Sequence, residues 1–174
     1  MERTDHILIK KVVLDAGPII HLDEIDGLAL LSDFGNLLVP ESVWKEVLYH
    51  RPAALERENV PLCRIGPVSV KADHFLVLCN ALSLDVGERE GLSLCMHHQD
   101  AVFLTDDAAA RLAAKNLKIR AHGTIGILLR ALRRKLINND EALRYFELIS
   151  FSSTLFIKRS LLEDIIRQVR DFRP

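Results

Sequence analysis

Four acidic positions carry the chemistry that this chain can do. Asp15 closes the apolar run Val12-Val13-Leu14 and is followed at once by Ala16-Gly17-Pro18, so a carboxylate stands where a short buried strand ends and a turn begins. Glu46 lies in Val-Pro-Glu-Ser-Val-Trp-Lys-Glu-Val, Glu88 in Leu-Asp-Val-Gly-Glu-Arg-Glu, and Asp106-Asp107 follow the strand-like Ala101-Val-Phe-Leu-Thr105. Carboxylates at the carboxyl ends of buried strands are costly unless cations or hydrogen bonds compensate them. An oxygen-only cluster selects hard cations such as Mg²⁺ or Mn²⁺ over Zn²⁺. Such a cluster polarises a phosphate, activates water and offsets charge on a leaving oxygen, which amounts to phosphodiester hydrolysis.

Each acid also has a plain structural reading. Asp15 can make an Asx-turn into Ala16-Gly17, Glu46 can pair with Lys45, and Asp85-Val-Gly-Glu88 reads as a capping box. One of Asp106 and Asp107 can cap the helix that follows, leaving the other for a site; Asp106 is favoured for it, being nearer the strand end. Helical periodicity selects Glu88 over Glu90 as the inward residue, because Glu88 shares its face with Leu92 and Cys95 while Glu90 shares its face with Leu94 and His97. Glu46 falls just outside the apolar arc of Val43, Val47 and Leu48, on the rim of a buried surface.

Taken together, these acids resemble the pattern of the PIN-domain family of metal-dependent nucleases. The phrases Leu-Asp-Ala-Gly-Pro-Ile-Ile-His-Leu, Val-Pro-Glu-Ser-Val-Trp-Lys-Glu-Val and Gly-Thr-Ile-Gly-Ile-Leu-Leu-Arg-Ala are similar to its prokaryotic, VapC-like branch, over residues 11 to about 137. The resemblance implies an α/β/α sandwich and a Mg²⁺- or Mn²⁺-dependent endoribonuclease of the toxin type. It also implies a small antitoxin protein as partner, and a homodimer. On this reading Asp15, Glu88 and Asp106/Asp107 bind metal, Glu46 orients water or completes the cluster, and Thr124 contacts substrate or a metal-bound water. The alternative is a PIN-fold scaffold that binds protein or RNA without useful catalysis; retention of all four acidic positions argues against it. A phosphotransfer enzyme with Asp15 as nucleophile would want a second Asp two residues on, where Gly17 stands.

The elements that must position these residues alternate short apolar runs with helical periods, the mark of parallel β/α units. Strands are expected at Val12–Leu14, Leu37–Val39, Ala101–Thr105 and Lys118–Arg120, with a short one near Leu62–Ile65. Helices are expected at Ile19–Glu24, Leu28–Phe34, Ser42–Tyr49, Lys71–Leu82, Val86–His97 and Ala108–Asn116. After Gly123 the pattern turns helical: Thr124 is expected to cap a helix to Lys135, Asp140 one to Ile149, and Ser160-Leu-Leu-Glu163 to form a capping box opening the last. The expected fold is one domain, a three-layer α/β/α sandwich on a central, mainly parallel sheet, with a helical extension from about residue 138 whose Ile165, Ile166 and Val169 face needs covering.

Composition fits a single globular domain: 174 residues, 49% hydrophobic and 27% charged. No apolar stretch approaches the roughly 20 residues a bilayer requires, and Met-Glu-Arg-Thr-Asp-His is unlike a signal peptide, so a cytoplasmic protein is expected. Cys63, Cys79 and Cys95 lack CxxC spacing and read as free thiols in a reducing compartment. Cys95-Met-His97-His98 has no second Cys/His pair at finger spacing, which argues against zinc. Gly123-Thr124-Ile-Gly126 lacks the length and the Lys of a P-loop.

The net charge of −1 conceals an uneven distribution. Residues 1–107 hold 9 Lys/Arg and 18 Asp/Glu, whereas residues 108–174 hold 14 and 6. An acidic site beside a basic surface suits an enzyme acting on a polyanion. Arg130, Arg133, Arg134 and Lys135 are the densest basic cluster; on a helix Arg130 and Arg134 share a stripe that could follow an RNA backbone. The same cluster would equally suit the solvated carboxyl end of a helix.

Overall fold

The computed structural model describes residues 9–70 and 72–172. Five strands, β1 (Lys11–Leu14), β2 (Asn36–Pro40), β3 (Leu62–Ile65), β4 (Val102–Leu104) and β5 (Arg120–His122), form one sheet in the order β3-β2-β1-β4-β5. Every pairing is parallel, in a register that sets Val13 beside Leu38 on one side and Phe103 on the other. The chain winds outward from β1 to β3, then crosses to the other side for β4 and β5. The direction therefore reverses between β1 and β4, and the carboxyl ends of strands at such a switch point open a crevice.

Alternation along each strand sends side chains to two separate cores. Val12, Leu14, Leu37, Val39, Val102 and Leu104 face α1 (Ala16–Glu24), α2 (Glu41–His50), α6 (Thr124–Arg133), α7 (Asn139–Ser152) and α8 (Arg159–Asp171). Val13, Leu38 and Phe103 face α3 (Asp73–Ala81), α4 (Val86–His97) and α5 (Ala108–Asn116). The three layers are those the sequence pattern implies. Among the described residues no helix is long and apolar enough to cross a membrane.

Several local expectations shift. Leu28–Asp33 is a 3-10 helix rather than an α-helix: Leu28 and Leu31, three apart, stack inward on one edge, which suits three residues per turn. The strand expected at Lys118–Arg120 lies two residues later, because Lys118 takes a left-handed turn (φ 58°) on leaving α5. Lys135 does the same after α6, ending that helix at Arg133. Lys71, the expected start of α3, lies outside the described residues, and α3 begins at Asp73.

Three caps also differ. Gly123, not Thr124, stands at the N-cap of α6. Asn138, not Asp140, caps α7, in a reciprocal box with Glu141. The Ser160–Glu163 box is not formed, because α8 already starts at Arg159 and Glu163 pairs with Arg159 one turn back at 2.8 Å. The apolar face of α8 is covered by the domain itself: Leu162, Ile165 and Val169 join the core with Phe146 and Ile149 of α7, and Ile166 packs against it. Asn139 ties the pair by donating from Nδ2 to the carbonyls of Val169 and Phe172.

Candidate active site

Asp15 leaves β1 at the switch point and caps α1. Its Oδ1 accepts from the Ala16 amide at 2.9 Å, and its Oδ2 accepts from the Thr105 hydroxyl at 2.7 Å, at the end of neighbouring β4. Burial pushes its carboxyl up to about 6; the Thr105 and Ala16 hydrogen bonds oppose the shift, and the negative charges of Asp85 and Glu46 add to it. The turn-forming role and the cluster role are both present in one side chain.

Glu88 sits in the first turn of α4, only 9% exposed. The capping box is real: Asp85 Oδ1 accepts from the Glu88 amide and Glu88 Oε2 from the Asp85 amide, each at 2.9 Å. Burial nevertheless pushes the Glu88 carboxyl up to about 7, against the Asp85 amide bond, with the charges of Asp85, Asp107 and Asp15 raising it further. Glu90 turns away as periodicity requires, and its Oε2 accepts from the amide and hydroxyl of Ser42 at the start of α2. Glu46 is solvent-exposed on α2, and its carboxyl is raised by partial burial and by Asp85.

Asp85 is therefore common to the surroundings of Asp15, Glu46 and Glu88. Sequence reasoning assigned it only to capping. The motif Asp85-Val-Gly-Glu88 was itself the signal, since two carboxylates bonded to each other's amides cannot lie far apart.

The adjacent Asp106 and Asp107 part company. Asp106 Oδ1 accepts from the Thr124 amide at 2.7 Å, and Oδ2 from the Thr124 hydroxyl at 2.6 Å. His21 of α1 adds its Nδ1 at 2.8 Å from Oδ2. Burial raises the Asp106 carboxyl, but these bonds from His21 and Thr124 outweigh it and hold the group below its ordinary value. Asp106 thus fastens α1 to α6. Gly123 makes this possible, because a Cβ there would lie 2.5 Å from Asp106 Oδ1.

Asp107 caps α5, its Oδ1 accepting from the Ala110 amide at 2.7 Å, while its own amide donates to Thr105 Oγ1. Its charge is one of those that raise Glu88. The fully buried Thr105 hydroxyl thus links Asp15 to Asp107. Neither Thr105 nor His21 stood out in the sequence, because their partners lie 90 and 85 residues away.

A family model described as a PIN domain matches residues 11–171. The chain belongs to the PIN-domain family. No curated protein matches the chain. PIN domains are generally nucleases acting on nucleic acid, and they typically bind divalent metals. The match extends past α6 to include α7 and all of α8.

The donor chemistry of this PIN domain fits a hard divalent cation. All the clustered groups are carboxylates, and their charges raise one another's proton affinity, a cost that a cation removes. Among the described residues no three of His, Cys, Asp or Glu already converge in a metal-holding geometry. The fit therefore rests on charge and oxygen donors rather than on a preassembled cage. Glu46 and His21 also share the wall of an open cavity of about 370 Å³ with Gly17, His50, Arg51 and Thr154.

The other candidates lie elsewhere in the PIN domain. Arg130 Nη2 and Arg134 Nε stand 3.0 and 2.7 Å from Asp33 Oδ2, and Arg130 lies over the Phe34 ring. The stripe expected on α6 exists, but a carboxylate 97 residues earlier partly neutralises it; Arg133 is exposed beside it. Cys95 is buried with its thiol pushed up to about 12, while His97 Nδ1 bonds the Ser93 carbonyl and His98 meets Lys11. All three cysteines are free, Cys79 and Cys95 buried and Cys63 exposed.

Proposed function

We propose that this PIN domain is a Mg²⁺- or Mn²⁺-dependent endoribonuclease of the VapC-like toxin type, cytoplasmic, dimeric and restrained by a small antitoxin protein. One observation carries the reading: Asp15, at the switch point of a parallel sheet, is driven toward protonation by burial and by the charges of Asp85 and Glu46, and Glu88 likewise by burial and by the charges of Asp85, Asp107 and Asp15. Asp15, Glu88 and Asp107 are the residues that would hold the cation. When bound, it would offset the negative charge of the phosphate and of the leaving oxygen.

The remaining roles belong to the chain itself. Glu46, exposed on the cavity wall with a raised carboxyl, orients the attacking water and takes its proton as the new P–O bond forms and the old one breaks. Thr105 holds the Asp15 carboxylate and the Asp107 backbone in mutual register. Asp106 acts on Thr124 and His21, fixing the α6 start against α1 beside the cluster. Arg130, Arg133 and Arg134 contribute positive potential to the RNA path, the first and last attenuated by Asp33.

The test is cleavage of a labelled RNA pool with Mg²⁺, Mn²⁺ or chelator. Asp15→Asn, Glu88→Gln and the double change at Asp106 and Asp107 should each lower the rate by about a hundredfold or more, with the fold retained. An inactive wild type with either metal, or a fully active Asp15→Asn, overturns the assignment. The scaffold reading draws support from the Asp33 pairing of Arg130 and Arg134, and predicts RNA or protein binding without turnover.

A further inference from the structure

The link between α7 and α8 is a short extended strap whose side chains alternate. Ser153, Leu155 and Ile157 are half-buried, and the two apolar ones pack on the core; Thr154, Phe156 and Lys158 are exposed. The strap is pinned rather than loose. Glu24, near the end of α1, accepts from the Ser153 hydroxyl at 2.8 Å, the Thr154 amide at 2.8 Å and the Thr154 hydroxyl at 3.0 Å. Thr154 also lines the cavity that holds Glu46 and His21. The outer face of the strap therefore runs to the wall of that cavity, in the order Lys158, Phe156, Thr154.

Phe156 is 87% exposed. Neither core packing nor a cap accounts for an aromatic ring in that position, and its two neighbours on the face are a cation and a hydroxyl. A protein-docking patch would be contiguous and apolar. A ring flanked by a cation and a hydroxyl, on a pinned strap that ends at the cavity holding Glu46, is the pattern that takes single-stranded nucleic acid: the base stacks on the ring and the phosphate meets the charge. We infer that the Ser153–Lys158 strap is a subsite for an unpaired nucleotide of the substrate strand, with the base on Phe156 and the backbone phosphate at Lys158. This rests on the nuclease reading of the acidic cluster and adds to it the place on this chain where the substrate strand is held.

The experiment separates the two. In the Asp15→Asn background, which keeps the ligand intact, binding of a short labelled oligouridine and of an abasic chain of equal length is followed by fluorescence anisotropy. Phe156→Ala should weaken the oligouridine about tenfold and leave the abasic chain unchanged. Phe156→Trp should retain binding, and Phe156→Leu should behave as Ala, because stacking needs a π-face. Lys158→Ala should weaken both ligands and reduce the salt slope by about one. Unchanged oligouridine binding by Phe156→Ala, an equal loss of affinity for both ligands, or full binding by Phe156→Leu, overturns the subsite. So does sedimentation showing that Phe156→Ala merely splits an oligomer with affinity falling in step, which would make the ring an interface between copies. Failure of the otherwise wild-type protein to cleave RNA with Mg²⁺ or Mn²⁺ would instead remove the nuclease reading, and the anisotropy result would still decide the subsite.

Discussion

In chelator the acidic cluster should make this protein less stable as pH rises from about 4 to 7, and Asp15→Asn should remove much of that dependence. Burial and neighbouring charge lift the folded-state carboxyl of Asp15 from 3.8 to about 6 and that of Glu88 from 4.5 to about 7. Across this window the folded chain holds protons that the unfolded chain has released, so stability falls with rising pH; the penalty is absent below the unfolded values and complete above the folded ones. For Asp15 the rise from 3.8 to about 6 corresponds to about 3 kcal/mol. Glu88 responds to the same charges, so the two contributions overlap rather than add.

An asparagine at position 15 cannot ionise, yet it can still accept from the Ala16 amide and meet the Thr105 hydroxyl. At pH 7 without metal, Asp15→Asn should therefore melt above wild type, by up to about 6–12 °C for a chain of this size. At a hundredfold excess over its dissociation constant, Mg²⁺ or Mn²⁺ should add about 2.7 kcal/mol to wild type and much less to the variant. Thermal melts from pH 4 to 7.5, with chelator and with each metal, decide the matter. Parallel pH curves for the two proteins, or equal metal shifts, would show that Asp15 only caps a turn.

The remaining perturbations address the scaffold and the basic face. Gly91→Ala would place a Cβ 2.6 Å from the Phe103 ring on β4 and should cost about 1–3 kcal/mol, read in urea unfolding. Phe146→Ala, at a fully buried site on α7, should cost about 3–5 kcal/mol; a loss below 1 kcal/mol would detach α7 from the core. Asp33→Asn should release Arg130 and Arg134 and steepen the salt dependence of RNA binding by up to about two, measured by titration at several ionic strengths; an unchanged slope would remove these side chains from the RNA path.

How much of this was legible in the sequence depended on how far each residue's decisive partner lies along the chain. The run Val12–Leu14 followed by Asp15, the β/α alternation and the choice of Glu88 over Glu90 all depend on neighbours within a few residues, and periodicity reports those well. Arg130 and Arg134 looked like a free stripe because Asp33 is a long-range partner. The same blindness hid His21 and favoured Asp106 for the site, although both its oxygens are bonded to Thr124 or His21. Strand and helix ends moved where a non-glycine residue took a left-handed turn, as at Lys118 and Lys135, a conformation that no pattern of apolar residues announces.

Capping and site roles were set against each other in the sequence, and the fold shows that they are not rivals. Asp15 caps α1, Asp85 and Glu88 box the start of α4, Asp107 caps α5, and Asp106 receives the first amide of α6. Four helix N-termini thus converge at the carboxyl edge of the sheet, each presenting unpaired amides and a partial positive charge. Those amides lower the cost of the negative cluster: the bond from Ala16 opposes the rise at Asp15, that from Asp85 the rise at Glu88, and those from Thr124 help reverse it at Asp106. The caps engage Oε2 of Glu88 and Oδ1 of Asp107, and their second oxygens make no hydrogen bond among the described residues. A carboxylate held by one oxygen at a helix start keeps the other for a ligand. The same local rule that begins each helix can therefore gather a charged site that survives without its cation.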